Sequence, residues 1–263
     1  MKQRIITAIV LLIIFVPCLI IGKIPFAVLV FLLGLGAAFE LLSICDFPKT
    51  RYYMYPAMAL YIELSIFKSA DLTANTTFLI AFMIFLLACG IFDSSMPIDR
   101  ICYYFTSGTL VAFGIHMLYY MRVEQSLVSV IFLAFATLGA DTGAYFVGRA
   151  IGKRKLCERL SPKKTIEGSI GGIVIGSALA IVFNIFVPLK MNWLWVVITA
   201  VVLASTGQIG DLTFSAIKRH FEVKDYSQIF PGHGGVLDRF DSIIFNAFVY
   251  GFMLQLYYAL VVL

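Results

Sequence analysis

The sequence predicts an all-α, polytopic integral membrane protein of about nine transmembrane helices with its amino terminus in the cytoplasm, and three observations predict it. Of 263 residues, 61% are hydrophobic and 13% charged, with 24 Phe and a mean hydropathy of +0.95. A water-soluble domain of ordinary composition is roughly one-quarter charged. The apolar residues fall in runs approaching the ~20 that a helix needs to cross a bilayer, and they lack the alternation of barrel strands. Lys and Arg gather in alternate loops, as topogenic charge does.

In chain order the spans are expected at residues 5–21, 24–45, 52–67, 77–92, 101–121, 127–147, 168–187, 193–217 and 240–263. The first follows MKQR and runs on through GKIP into the second. A signal peptide is the other reading of that start, but no small-residue cleavage site follows the apolar core. The second holds Glu40 in GLGAAFELLSIC, and the third holds Glu63. Both are ionisable groups at membrane depth, where charge is costly and calls for a partner or a function. For Glu40 a structural hydrogen bond and a place beside the site are equally open, whereas Glu63 reads as structural or snorkelling. The fourth and fifth spans are uncharged. Asp141 lies in the sixth, EGSIGG opens the seventh, and Asp211 lies in the eighth. Pro17, Pro25 and Pro56 fall inside spans, where neighbouring helices tolerate them.

A cytoplasmic amino terminus and nine spans put Lys2, Arg4, Lys49, Arg51, Arg100, Arg149, Lys153, Arg154, Lys155, Arg159, Lys163, Lys164, Lys218, Arg219, Lys224 and Arg239 on the inner side. Only Lys23, Lys68, Arg122 and Lys190 face outward. An even number of spans would export one of the two large basic loops, 148–167 or 218–239. The net charge of +5 is thus a cytoplasmic feature that also suits anionic headgroups or nucleotide phosphates. The five Cys have no paired spacing and read as reduced packing residues. One polytopic domain, 1–263, is expected, with 1–125 largely scaffold and 126–263 carrying the catalytic spans and loops.

Chemistry concentrates in three polar blocks of the second half. GADTGAYFVGRAIGKRKLCERLSPKKTIEGSIGG places Asp141 about two helical turns before Arg149, and Lys163 and Lys164 just before a glycine-rich helix entry. Its small residues allow close approach of another helix or of a ligand. TGQIGDLTFSAIKR puts Asp211, Ser215 and then Lys218 or Arg219 on one helical face, an acid, a hydroxyl and a base in ascending order. Asp211 without soft ligands suits a hard cation, above all Mg2+, and equally suits a structural pair with a lysine. In the third block, PGHGG is a tight turn whose glycines expose backbone N–H groups, as a phosphate cradle requires. His233 sits at its centre, and Asp238 and Asp241 follow at i, i+3 on the next helix. Lys224, Arg239 and their neighbours add positive charge for a polyphosphate. Carboxylates for Mg2+, cations and backbone donors together are the parts that phosphoryl or nucleotidyl transfer uses. A Walker loop, a dinucleotide fingerprint, H-E-x-x-H and zinc ligand pairs are all missing.

Read from Ser215 to Asp241 as S-x-I-K-R-x4-K-D-x-S-x3-P-G-H-G-G-x2-D-R-x-D, the segment closely resembles the signature of phosphatidate cytidylyltransferases, the CDP-diacylglycerol synthases. DTGAYFVGR and SPKKTIEGSIGG are similar to other blocks of that family, although Ala140 stands where many members have an aromatic residue. The resemblance implies transfer of the cytidylyl group of CTP to phosphatidic acid, with pyrophosphate released. It implies Mg2+ held by Asp211, Asp238 and then Asp241, and a monovalent cation such as K+ beside it. Lys218, Arg219, Lys224 and Arg239 would neutralise phosphates, with His233 beside them and Asp225 orienting one of the cations. Ser215 and the turn with Gly232, Gly234 and Gly235 would contact substrate, and Lys163 and Lys164 would grip the lipid phosphate or CTP. The expected partners are CTP, phosphatidic acid, the bilayer and a second copy of the chain in a homodimer, and not nucleic acid. The expected place is the cell membrane, with the site facing the cytoplasm. A CTP-dependent lipid kinase of the polyprenol type and, further off, a cation transporter using Asp141 and Asp211 are the other readings.

Overall fold

A computed structural model of the chain describes residues 2–45, 48–67 and 72–262. An α-helix stands at each of the nine predicted places: α1 Lys2–Ile21, α2 Lys23–Ser43, α3 Pro48–Phe67, α4 Leu72–Phe92, α5 Ile98–Tyr120, α6 Leu127–Ile151, α7 Ile166–Phe186, α8 Trp193–His220 and α9 Leu237–Tyr257. Among the described residues, seven stretches are long and apolar enough to cross a membrane, those of α2 and α4 to α9. The stretch in α1 is shorter, Ile9–Ile21, and α3, with its tyrosines, Pro56 and Glu63, is not among the seven. Lys68 and Leu263 lie outside the described residues, as do the side chains of Lys2, Arg4, Lys49 and Arg51. The protein is therefore all-α and polytopic, with one small departure.

That departure is an antiparallel hairpin in the loop after α6, β1 Lys155–Cys157 and β2 Ser161–Thr165, with Lys155 opposite Thr165 and Cys157 opposite Ser161. The segment KLCERLSPKKT has no alternating pattern to announce it. It is held from outside, since the Glu167 carboxylate accepts from the backbone N–H groups of Lys153 (3.0 Å) and Arg154 (3.2 Å).

The chain forms two compact units, Met1–Val123 with Val223–Arg239, and Glu124–Glu222 with Phe240–Leu263. In the first, α2, α3 and α5 bury Val30, Ala37, Leu41, Met58, Ile62, Tyr104 and Val111. Tyr61 stacks on Phe82 of α4 with ring centroids 4.3 Å apart. Arg122, expected only as an outward topogenic charge, donates to the carbonyls of Leu19 (2.6 Å) and Ile20 (2.8 Å) and so closes the carboxyl end of α1.

In the second unit α6 and α7 approach most closely. Gly168, Gly172 and Gly176 form a stripe four residues apart against Ala136, Ala140 and Ala144, where interhelical van der Waals contact is the attraction available in lipid. α9 joins this pair through the fully buried Asn246, which donates to Thr137 Oγ1 (2.7 Å) and the Leu203 carbonyl (2.8 Å) and accepts from Thr206 Oγ1 (2.8 Å). Exposed Ile170, Val174, Val182 and Ile185 give α7 an outer face suited to lipid.

Candidate active site

The second unit brings acids and bases from separate elements to one cavity. α6 supplies Asp141, Tyr145 and Arg149 at four-residue spacing, hence on one face. β2 supplies Lys163 and Lys164, and α8 supplies Gln208 and Asp211. The cavity they line holds about 440 Å³. The Lys164 ammonium is ion-paired with the Asp211 carboxylate, the side chains being 24% and 31% exposed. Ser215, one turn further along α8, donates to Asp211 Oδ1 at 3.4 Å. Asp141 lies within Coulombic reach of Lys164 and Asp211, and Asp241 of Asp211, Lys218 and Asp141.

Local capping explains why these groups stay in place. Thr165 is the N-cap of α7 and accepts from the Gly168 N–H at 3.1 Å, which fixes the end of β2 and with it Lys164. Gln208 Nε2 donates to the Ser169 carbonyl at 3.1 Å, tying α8 to α7 at the floor of the cavity. Lys218 and Arg219 form the last turn of α8, where positive charge complements the helix dipole. Asp211 thus takes a lysine partner from β2, a different element from its own helix.

The first unit holds a second polar cavity, of about 460 Å³, lined by Lys224, Asp225, Gln228, Gly232, His233, Gly234 and Arg239. Its wall is the PGHGG turn. Gly232 and Gly234 have φ of 78° and 84°, a backbone region that side chains disfavour. The turn closes through Phe230 N–H to the Gly234 carbonyl (2.9 Å) and His233 N–H to the Phe230 carbonyl (2.8 Å). Among the described residues, the N–H groups of Gly232 and Gly234 and the buried Nδ1 of His233 take no hydrogen-bond partner. The Gly235 N–H instead donates to Asp238 Oδ2 (2.9 Å), which also accepts from the Tyr226 N–H (2.8 Å).

Glu40 of α2 reaches the same loop. Fully buried, it accepts from the N–H groups of Val236 and Leu237, each at 2.7 Å, and from the Ser227 hydroxyl at 2.6 Å. The anchor of the loop thus comes from the half expected to be scaffold. Glu63, by contrast, packs against Gly34 with no hydrogen-bond partner among the described residues.

Among the described residues, no three His, Cys, Asp or Glu side chains close on one point as a preformed ion cage. The acids of the second unit nonetheless offer only oxygen donors beside ammonium groups, a set that fits a hard cation such as Mg2+ and not a soft one. Tyr145 and Gln208 escape a reading of the sequence, although their spacing to Asp141 and Asp211, i+4 and i−3, places each on the face of its acid.

The chain matches the model of the Cytidylyltransferase family over residues 2–257. It is 35% identical over 269 residues to the phosphatidate cytidylyltransferase of Bacillus subtilis (strain 168), covering 98% of each chain. Identity to the phosphatidate cytidylyltransferase of Staphylococcus haemolyticus (strain JCSC1435) is 37% over 253 residues, 93% of this chain and 95% of that one. For the protein of that name in Staphylococcus aureus (strain COL) it is 33% over 252 residues, with the same coverage. The carboxylates, cations and glycine turn described above therefore belong to a chain that is a member of the cytidylyltransferase family.

Proposed function

We propose that the protein transfers the cytidylyl group of CTP to phosphatidic acid, forming CDP-diacylglycerol and pyrophosphate. The observation that supports this best is the cavity of the second unit, where Arg149, Lys163 and Lys164 meet Asp141 and Asp211 among apolar helices. A lipid phosphate and a nucleotide are both anions, and one of them stays in the bilayer. The relatives' name, phosphatidate cytidylyltransferase, agrees with it.

In this reading a phosphate oxygen of phosphatidate attacks the α-phosphorus of CTP, a new P–O–P link forms, and the bond to the β-phosphate breaks as pyrophosphate leaves. Phosphatidate is already an anion, so no side chain need remove a proton first. Lys163, Lys164 and Arg149 hold the lipid phosphate against its charge repulsion from the nucleotide. Lys218, Arg219, Lys224 and Arg239 offset charge on the triphosphate, with Asp225 orienting a neighbouring cation. His233 and the N–H groups of Gly232 and Gly234 donate to phosphate oxygens, while Ser215 holds Asp211. Asp211, Asp238 and Asp241 are the residues that would hold Mg2+, with a monovalent cation such as K+ nearby. When bound, the divalent ion offsets charge on the reacting phosphates. A homodimer in the cell membrane, with the amino terminus and the site on the cytoplasmic side, completes the proposal.

The purified chain in lipid nanodiscs with CTP, Mg2+ and phosphatidate should release pyrophosphate and form CDP-diacylglycerol. Release of CDP with a phosphorylated lipid alcohol would point to the kinase reading, and ion flux without CTP to transport. Turnover that persists in excess EDTA would remove the metal from the mechanism.

A further inference from the structure

We propose that Glu40 is the positioning residue of the glycine-turn cavity, fixing from α2 the backbone that presents His233, Lys224 and Arg239 to the nucleotide's phosphates. The substrate assigned to this cavity rests on the cytidylyl-transfer reading above. The geometry does not.

The start of α9 lacks a local cap. Its flanking residue is Val236, in a sequence, PGHGGV, that offers no Ser, Thr, Asn or Asp for the orphan N–H groups of the first turn. Glu40, nearly 200 residues away in the chain, takes that role: its Oε2 accepts from Leu237 and its Oε1 from Val236 and Ser227. Asp238 accepts from the next donors, Gly235 and Tyr226, and lies within Coulombic reach of Glu40. Two carboxylates therefore hold the N–H groups of residues 226, 235, 236 and 237. The Ser227 hydroxyl extends this hold, since it also accepts from the Ile229 N–H at 3.2 Å.

Burying an ionised carboxylate is costly, and donors to both its oxygens offset that cost only if the loop keeps this one conformation. Gly235 belongs to the same device, because a Cβ there would run into the Glu40 carboxyl group. A side chain serving only to fill the core would need none of this. The neighbouring donors of the loop are thus engaged, while Gly232 and Gly234, whose N–H groups take no partner among the described residues, line the cavity.

The test compares Glu40→Gln with the wild type as full-length protein in nanodiscs. Glutamine keeps the volume but replaces one acceptor oxygen with an NH2 group that opposes a backbone donor. A lost hydrogen bond to a charged group corresponds to about tenfold in affinity. The KM for CTP should rise about tenfold, with the KM for phosphatidate and the unfolding temperature close to wild type. Amide exchange across 226–237 should quicken in the variant and slow again as CTP is added. An unchanged CTP KM, including the case in which the apparent kcat alone falls in step with loss of folded protein, would overturn the proposal. If Glu40→Gln does not fold, Ser227→Ala removes one of the donors at the loop and should raise the CTP KM by a smaller factor; no change there overturns it equally. Should the wild type turn over no CTP, the functional reading falls, while amide exchange in Glu40→Gln still decides the positioning role: exchange across 226–237 unchanged from wild type ends it.

Discussion

Replacing Gly172 by alanine tests how finely the contact between α6 and α7 sets the site. A Cβ at residue 172 would lie 2.5 Å from the Ala140 carbonyl oxygen and 3.0 Å from the Ala144 Cβ, with backbone as the nearest obstacle. An ordinary carbon–oxygen approach is about 3.3 Å or more, so the helices must part locally by roughly 0.8 Å. Neither side has a flexible side chain to swing away. Gly176 and Gly168, one turn on either side, are as close to α6 and hold the register. Overpacking of this kind costs about 1–3 kcal/mol. The larger effect is expected in turnover, since Ala140 precedes Asp141 and α7 begins where Thr165 fixes Lys164. A shift near 1 Å in reacting groups costs on the order of 100-fold in rate. The assay is thermal unfolding of detergent-solubilised protein beside pyrophosphate release, with Val174→Ala, at a side chain 61% exposed on the outer face, as the control. Gly172→Ala with both the unfolding temperature and the rate of the wild type would refute the reasoning, because the contact could then not be as tight as its geometry states.

Lys164→Met keeps the stem and removes the charge beside Asp211; because the pair is part exposed and screened, stability should change by no more than about 1 kcal/mol. Turnover should fall ~100-fold or more through loss of a preorganised cation, and a rate loss no greater than the loss of folded protein would argue against a substrate role. Outside the spans, hydrogen bonds from the Ser95 hydroxyl, then from the Tyr53 hydroxyl and the Ser95 N–H, hold the Asp93 carboxyl below the usual 3.8. A depressed pKa stabilises the fold above the unfolded value and loses that effect as pH falls through the folded one. The unfolding-temperature gap between wild type and Asp93→Asn should therefore be fully open at neutral pH and narrow in acid below pH 3.8; a gap that widens there contradicts the assignment.

Much of the site's local grammar is legible in the order of the residues. Asp211 and Ser215 share a face of α8 because i and i+4 always do, and the 3.4 Å contact between them needs nothing else. PGHGG marks Gly232 and Gly234 as turn glycines, and both adopt positive φ. The stripe in EGSIGG leaves helix packing and ligand approach both open; Gly168 packs against α6 and also lines the cavity. The pairing of Asp211 with Lys164 is not legible, since the two are 47 positions apart and only the placement of β2 brings them together. The hairpin itself leaves no pattern, being pinned by Glu167 from the following helix and not by burial of alternate side chains.

Apolar run length, charge segregation and helical spacing are properties of neighbouring residues. The cost of placing a segment in lipid is nearly a sum over its own side chains, so the helical spans, and the clustering of polar chemistry in the second half, follow from the chain read in order. Partners far apart in the chain are another matter. No local rule says that the carboxylate of Glu40 closes on Val236 and Leu237, or that the loop 223–239 belongs to the first unit. Those choices depend on which buried donors and acceptors satisfy one another once the helices have packed, and only the tertiary structure settles that competition.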